Sequence, residues 1–327
     1  MKNLFKFMFA AVLFTALFTV SCDKTEDVIE PEVNQNFSTL KTYLTANQMD
    51  IPDVLNSWIT TAEAVYTVNN DSTSDNDYYV IDIRSASAYA AGHIGNAVNA
   101  TLDNLLTKAS NSNNHPIIVA CYTGQTASLA VVALRLSGYP TAKVMKWGMS
   151  GWSSTLDSWT LNCSDYAVGK PNFAAAPGVL GTLVNYGDPV LTATATDGAG
   201  ILAERVAALL AAGFKGVAGS AVVDAPADYY INNYWTEADV IAHGNIATAV
   251  RVLPLSLAGN EYQNYNPTAT AVTYCWTGQT SSMVTAYMNV IGYNAVSLKF
   301  GTNSIIHSDI GAHGWDVSMA KNYPLVQ

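Results

Sequence analysis

One six-residue stretch occurs twice in the chain and constrains its fold more than any other feature. The copies, Cys121–Thr126 and Cys275–Thr280, differ only at the second position. Each follows a short apolar run (117–120 and 271–274) and leads into a segment of helical character (127–136 and 281–291). This order predicts a strand, a tight glycine-containing loop and a helix, with a cysteine at the end of the strand. Its duplication favours a functional loop over two buried structural thiols.

In such a loop, successive backbone N–H groups and the helix N-terminus converge on one point and favour an anion without a lysine or arginine. We therefore expect Cys121 and Cys275 to have lowered pKa values and to react as thiolates. Gly124 and Gly278 permit the tight turn. The remaining predicted loop residues are Tyr122, Thr123, Gln125 and Thr126 in the first copy, and Trp276, Thr277, Gln279 and Thr280 in the second.

Composition limits the possible functions. The 327 residues can form two ordinary domains, and 50% of them are hydrophobic while only 12% are charged. The net charge of −10, with no basic cluster beyond the extreme N-terminus, argues against a nucleic-acid partner. The five histidines are scattered and no Cys-x-x-Cys pair occurs, so we expect neither a metal nor another cofactor.

The N-terminus has the pattern of an export signal. Two lysines precede an apolar run over 7–20, which is short for a membrane span. Ser21-Cys22 resembles the cleavage box of bacterial lipoproteins, although Thr19 stands where leucine is usual. We expect a signal peptide over 1–22, lipidation of Cys22, and a flexible acidic tether over 23–36. The chain would then be an exported, membrane-anchored protein of a bacterial cell envelope; ordinary secretion with cleavage elsewhere is the alternative.

Without Cys22, three cysteines remain (Cys121, Cys163 and Cys275), so at least one thiol is unpaired. No motif surrounds Cys163, for which we expect a structural role.

Alternating strand and helix patterns predict an α/β fold with mostly parallel sheets flanked by helices. We place one domain over 37–163, a linker over 164–196 and a second domain over 197–327. Residues 92–98 and 244–250 share the pattern Gly-x-Ile-x-x-Ala-Val, which indicates a duplicated domain. Ser220–Asp224 is interpreted as the strand that matches the one ending at Asp82.

These residues together resemble the rhodanese family, and specifically its tandem-domain sulfurtransferases. The first half carries Asp82-x-Arg84, then Tyr89-x-x-Gly92-His93-Ile94, the cysteine loop, and Gly148 to Trp152. It departs from the family at Ala88, where an acidic residue is usual, and at Asn96, where a glycine is usual. The second half keeps the loop, but Asp224-Ala-Pro226 lacks the arginine and Asn245 replaces the histidine.

The resemblance implies a two-step covalent cycle in which Cys121 and Cys275 are the catalytic nucleophiles. The thiolate takes sulfur from a small donor (thiosulfate, a persulfide or a polysulfide), and a thiol or cyanide acceptor then removes it. Tyr122 and Trp276 would form apolar walls at the mouths of the sites. Asp82, Arg84 and His93 would support the first site, with the last two tying its strand to neighbouring loops. The first of two tandem domains usually lacks its cysteine; both are present here, so two active sites and a sulfur relay between them are possible.

A cysteine phosphatase, a binding module and a thiol redox protein are alternatives to a sulfurtransferase. A cysteine phosphatase needs an arginine six positions after the cysteine to bind phosphoryl oxygens bidentately, and Ala127 and Ser281 stand there. Neither loop contains a basic residue, so a non-catalytic binding module stays open. Redox pairing of Cys121 with Cys275 is a third reading, which no pattern in the sequence supports.

Overall fold

The computed structural model describes residues 35–71 and 77–327. The predicted signal peptide, Cys22 and nearly all of the predicted tether lie outside these residues. None of the helices within the described ranges combines the length and apolar character that crossing a bilayer requires.

The first half of the described chain alternates short strands with helices. Its helices are α1 (Gln35–Ala46), α2 (Ile51–Val54), α3 (Ala62–Asn69), α4 (Ala86–Ala91), α5 (Leu105–Ala109), α6 (Gln125–Leu136) and α7 (Met149–Trp152). Its strands are β1 (Ile59–Thr60), β2 (Tyr79–Asp82), β3 (Val98–Asn99), β4 (Ile117–Ala120) and β5 (Lys143–Met145). The strands form one sheet in the order β1-β5-β4-β2-β3, and every pairing is parallel.

The second half has a sheet of the same kind. Its strands are β6 (Phe173–Ala174), β7 (Gly216–Val217), β8 (Tyr230–Asn233), β9 (Asn245–Ile246), β10 (Ala271–Tyr274) and β11 (Ala295–Leu298). Its helices are α8 (Gly198–Ala212), α9 (Gly219–Asp224), α10 (Glu237–His243) and α11 (Gln279–Val290). The parallel sheet has the order β7-β11-β10-β8, and an isolated parallel bridge from Asn232 to Val250 continues it where β3 lies in the first sheet. The predicted α/β class with parallel, helix-flanked sheets is confirmed.

The strand predicted at 220–224 is wrong. Those residues lie in helix α9, and the strand equivalent to β2 is β8. Both strands pair with the cysteine strand of their own half over four residues, which places Asn233 opposite Tyr274 as Asp82 is opposite Ala120. A short run such as Ala-Val-Val gives no periodicity that separates a strand from a buried helical turn.

Alternate residues of the central strands pack on opposite faces of each sheet. Ile117 and Val119 of β4 belong to a large core that also contains Met283 and Ala295 from the second half. Ile118 lies in a separate core on the other face. Because both faces are covered, all four residues of β4 are buried, as expected for a central parallel strand. Helices α6 and α11 pack against each other within the shared core, and this contact brings the two cysteine loops together.

The predicted linker and the C-terminus lie outside the two parallel sheets and form backbone pairings of their own. In the predicted linker, Phe173 of β6 pairs antiparallel with Ile246 of β9. At the C-terminus, His93 and Val326 exchange backbone hydrogen bonds of 2.9 Å, and Tyr323 stacks on Tyr66 with ring centroids 3.9 Å apart. The end of the chain therefore packs on the first half, although the predicted boundaries assign it to the second domain.

Candidate active site

The first cysteine loop surrounds the sulfur of Cys121 with backbone donors. Cys121 follows β4 directly, and its side chain is free and buried. The N–H groups of Gly124 and Ala127 point at Sγ with N···S distances of 3.1 and 3.4 Å. Ala127 lies in the first turn of α6, where N–H groups lack partners within the helix. The predicted cradle of N–H groups is therefore present at Cys121.

The tight turn depends on Gly124. It has φ of +86° and lies directly before α6. This left-handed backbone is readily adopted by glycine and costs other residues free energy. Gly278 has φ of +73° at the same position before α11, so the two loops share one backbone form.

The expected lowering of the Cys121 pKa is wrong. Burial raises the pKa of this thiol above its ordinary value, and the backbone N–H groups of Ala127, Thr123, Gly124 and Thr126 oppose that effect without overcoming it. Transferring the thiolate from water into the protein costs more free energy than the hydrogen bonds from these neutral N–H groups recover. The resting thiol is therefore protonated at neutral pH, and the cradle acts on the anion once it forms.

The second loop repeats one of these two backbone bonds and adds a hydroxyl group. Cys275 is also free and buried, and the N–H of Ser281 points at its Sγ at 3.3 Å, as that of Ala127 does at Cys121. Ser281 adds a hydroxyl 3.6 Å from Sγ, which also lies 2.8 Å from the hydroxyl of Ser297. The second thiol therefore has a more polar surrounding than the first.

A second repeated segment supports both loops, and the sequence reading missed the copy in the second half. Gly148 (φ +60°) and Gly301 (φ +55°) lie under Cys121 and Cys275 respectively. The residue after each glycine donates its N–H to the cysteine carbonyl, Met149 to Cys121 at 2.8 Å and Thr302 to Cys275 at 3.0 Å. The shared signal is Lys-aromatic-Gly, at 146–148 and 299–301, placed at nearly the same distance after each cysteine.

The predicted supporting residues of the first half hold its backbone together. Arg84 is buried and bonded through Nη2 to Asp82 at 2.6 Å and to the carbonyl of Gly92 at 2.7 Å. His93 is half-buried; its ring stacks on Tyr89, and its Nδ1 lies 3.0 Å from the Tyr89 carbonyl. The Arg84 bonds tie the end of β2 to the segment after α4. The ring contacts of His93 remain within residues 89–93.

The two loops differ in the aromatic residue that follows the cysteine. Tyr122 is 42% exposed, and its ring centroid lies 5.7 Å from Cζ of Arg84. Trp276 is half-buried between Trp235, with centroids 4.1 Å apart, and His313, with centroids 4.2 Å apart. Trp235 follows β8 by two residues, as Arg84 follows β2. The sequence reading missed Trp235 because it placed the equivalent strand at 220–224, and no sequence signal marked His313.

The remaining loop side chains do not gather around the sulfur atoms. Thr123 Oγ1 accepts a hydrogen bond from Gln125 Nε2 at 3.1 Å, and Thr277 Oγ1 accepts one from the backbone N–H of Gln279 at 3.3 Å. Gln125 and Gln279 are buried and reach into the other half of the molecule. Thr126 and Thr280 are half-buried at the second positions of α6 and α11.

Cys163 lies outside both loops, against an aromatic cluster that contains Trp147, Trp159 and Trp315. Its Sγ is 3.9 Å from Oδ1 of Asn303, whose Nδ2 donates to the carbonyl of Trp276. Burial, together with the nearby charge of Asp157, raises its pKa to about 11. It is therefore a poor nucleophile at neutral pH, in keeping with the structural role expected for it.

The family model that matches the chain covers part of the first half. A family model described as the rhodanese-like domain matches residues 63–155. The thiosulfate sulfurtransferase GlpE of Ectopseudomonas mendocina (strain ymp) is 30% identical over 93 residues, which are 28% of this chain and 84% of that protein.

Solved structures show lower identity. A rhodanese-like domain protein from Staphylococcus aureus is 22% identical, covers 28% of this chain and 87% of its own, and has a TM-score of 0.25. A thiosulfate sulfurtransferase from Pseudomonas aeruginosa is 14% identical, covers 87% of this chain and 49% of its own, and has a TM-score of 0.30. Because a relative 30% identical to this chain is matched over 84% of its own length, the chain belongs to the rhodanese-like family.

Proposed function

We propose that the chain is a sulfurtransferase in which Cys121 carries sulfane sulfur from a small donor to a thiophilic acceptor. The observation that carries the proposal is the pair of N–H groups, from Gly124 and Ala127, directed at Sγ of Cys121. A rhodanese-type cycle needs a site that stabilises first a thiolate and then a persulfide anion, and backbone N–H donors directed at the cysteine sulfur suit both. The similarity to a thiosulfate sulfurtransferase supports the same chemistry.

The cycle needs no external oxidant or reductant. The Cys121 thiol loses its proton, and the thiolate attacks the outer sulfur of the donor. One S–S bond forms while the donor's own bond to that sulfur breaks, and the leaving group (sulfite, when thiosulfate is the donor) departs with the electron pair. An acceptor nucleophile, a thiolate or cyanide, then attacks the outer sulfur of the persulfide and releases the Cys121 thiolate.

The second half supports a second sulfur site with a different mouth, and we include it in the proposal as a tandem rhodanese-like domain. Strand order, loop conformation and the glycine under each cysteine repeat between the halves. The Trp235–Trp276–His313 stack replaces the arginine and tyrosine of the first mouth. The two cysteines would therefore accept donors or acceptors of different shape and charge.

Steady-state turnover tests this function. Product formation would be measured with thiosulfate or a polysulfide as donor and cyanide or a small thiol as acceptor, for the unaltered chain and for Cys121→Ser, Cys275→Ser and Cys163→Ser. The proposal expects Cys121→Ser to abolish most turnover with at least one donor, and Cys163→Ser to leave it unchanged. Turnover that is equal in all four proteins would contradict it.

A non-catalytic binding module is the second candidate, and the burial of both thiols favours it. Cys121 is 5% exposed and Cys275 is 3% exposed, so any donor must reach a sulfur with little open surface. This candidate expects no turnover with any donor and no covalent sulfur on either cysteine.

We further propose that the chain is exported and anchored in a bacterial cell envelope through lipid on Cys22. The support is the sequence pattern over 1–22, which lies outside the described residues. Metabolic labelling with a fatty-acid analogue, compared between the unaltered chain and Cys22→Ser, tests it. Label that persists in Cys22→Ser, or no label in either protein, would contradict the anchor.

A further inference from the structure

The two cysteine loops are joined by glutamine side chains that cross between the halves. Gln125 Oε1 accepts a hydrogen bond from the backbone N–H of Phe300 at 2.7 Å. In the other direction, Gln279 Nε2 donates to the carbonyl oxygen of Thr123 at 3.3 Å. Gln125 is 4% exposed and Gln279 is 1% exposed, so both bonds lie where water competes little.

Each glutamine also packs on the glycine of the opposite cysteine loop. Gln279 packs on Gly124, whose N–H points at the sulfur of Cys121; a Cβ at Gly124 would lie 3.0 Å from its Cδ and closer still to Nε2. Gln125 packs on Gly278 in the same way, where a Cβ would lie 2.8 Å from its Oε1. Each loop is thus closed on one side by an amide from the other half.

The crossing bonds leave little of either amide for a substrate. Gln125 uses both ends, since its Nε2 also donates to Thr123 Oγ1 at 3.1 Å. Gln279 bonds through Nε2, and its buried Oε1 has no hydrogen-bond partner among the described residues. Gln125 and Gln279 are therefore bonded to the opposite half of the molecule. Their position in the motif had predicted that they bind the sulfur substrate.

We infer that Gln125 and Gln279 are positioning residues that act across the molecule: Gln279 aligns the N–H cradle of Cys121, and Gln125 aligns that of Cys275. The inference deepens the proposed function, on which it rests for the meaning of the two thiols as sulfur carriers. Its consequence is that neither thiol site is complete without the other half of the chain. Because the link is mutual, a change in one loop alters the free energy of the thiolate in the other.

The test measures thiol reactivity, which does not require sulfur transfer. In the full chain carrying Cys22→Ala, the rate of alkylation by iodoacetamide would be followed at Cys121, Cys163 and Cys275 by peptide mass spectrometry, from neutral to alkaline pH. Gln279→Met keeps the length of the side chain and removes the amide. Gln263→Met is the matched control, since Gln263 donates to Asp188 Oδ1 and to neither loop.

Gln279→Met is expected to slow alkylation of Cys121 by about threefold at a given pH and to move its pH profile to higher pH, because a misaligned cradle stabilises the thiolate less. Gln125→Met is expected to do the same at Cys275. Cys163 should keep its rate in Gln279→Met. A Cys121 profile that coincides with that of Gln263→Met would overturn the inference, as would a change that Cys163 shares, since that would indicate general loosening. A protein that transfers no sulfur but shows the crossed pattern would contradict the proposed function alone.

Discussion

Gly148 lies directly under Cys121, although it is 27 positions further along the chain. A Cβ on Gly148 would collide with the carbonyl oxygen of Cys121 and would lie 2.7 Å from the backbone nitrogen of Gly124. Gly148 also has φ of +60° and ψ of −149°, a conformation that is essentially restricted to glycine. Two independent reasons therefore require a glycine beneath the loop.

We predict that Gly148→Ala lowers the free energy of unfolding by about 3 kcal/mol or more, because backbone strain and the clash with the loop add. It should also abolish the reactivity of Cys121, since the displaced atoms include the N–H groups around its sulfur. Chemical denaturation and peptide-resolved alkylation measure the two effects.

Gly138→Ala is the matched control. Gly138 has φ of +95°, but a Cβ there would meet no atom within 4 Å. Its replacement should cost about 1–2 kcal/mol from strain alone and leave Cys121 reactive. Equal losses in the two variants would show that contact with the loop has no part in the requirement for glycine.

The buried pair of Asp82 and Arg84 yields a second prediction. Asp82→Asn or Arg84→Met alone should destabilise the protein by about 3–5 kcal/mol, because each leaves a buried charge without its partner. The double variant should cost clearly less than the sum of the two. The second half already has Asn233 and Trp235 at the matching positions, so a neutral pair is compatible with this fold. Strictly additive losses in the double-mutant cycle would contradict the pairing.

The local units around each cysteine were predictable from sequence because their signals are local. The runs at 117–120 and 271–274 form strands, and the segments predicted as helical after the loops lie in α6 and at the core of α11. The burial of the thiols was not predictable, since it depends on packing between distant segments. For this reason the sequence predicts a lowered pKa for Cys121, whereas burial raises it.

The crossing of Gln125 and Gln279 depends on how α6 docks on α11, and no pattern within one loop contains that information. The supporting segment of the second half is a different case. Its Lys-aromatic-Gly repeat was present in the sequence, and aligning the two halves from their cysteines onward would have found it.

The raised pKa of Cys121 gives a pH dependence with a defined sign. An unfolded cysteine ionises near a pKa of about 8.5, below that of the folded thiol. The favourable contribution of the neutral thiol to folding is thus complete below about pH 8.5 and is lost as pH rises through the folded-state pKa. Between those two values the free energy of unfolding should fall more steeply with pH in the unaltered protein than in Cys121→Ser, as urea titrations at several pH values would show. Parallel slopes would mean that the thiol ionises equally in both states.

The contact between the C-terminus and the first half yields a further prediction. Tyr323 stacks on Tyr66 and packs edge-to-face on Trp152, whose indole N–H donates to the carbonyl of Pro324 at 3.0 Å. Tyr323→Ala should cost about 2 kcal/mol and shift tryptophan emission to longer wavelength as water reaches Trp152. Tyr323→Phe keeps the ring and should change neither. Identical melting temperatures and spectra for Tyr323→Ala and the unaltered chain would show that the C-terminal contact does not stabilise the first half.

The most direct test of the central claim, that Cys121 carries sulfur, is the mass of its peptide after incubation with thiosulfate or a polysulfide. Cys121→Ser and Cys275→Ser would be treated alongside. We predict that the Cys121 peptide gains one sulfur atom and that cyanide or a thiol reverses this gain. The gain should persist in Cys275→Ser and disappear in Cys121→Ser. No sulfur on Cys121 from either donor, in a protein whose thiols still react with iodoacetamide at alkaline pH, would contradict the sulfurtransferase account and favour a binding module.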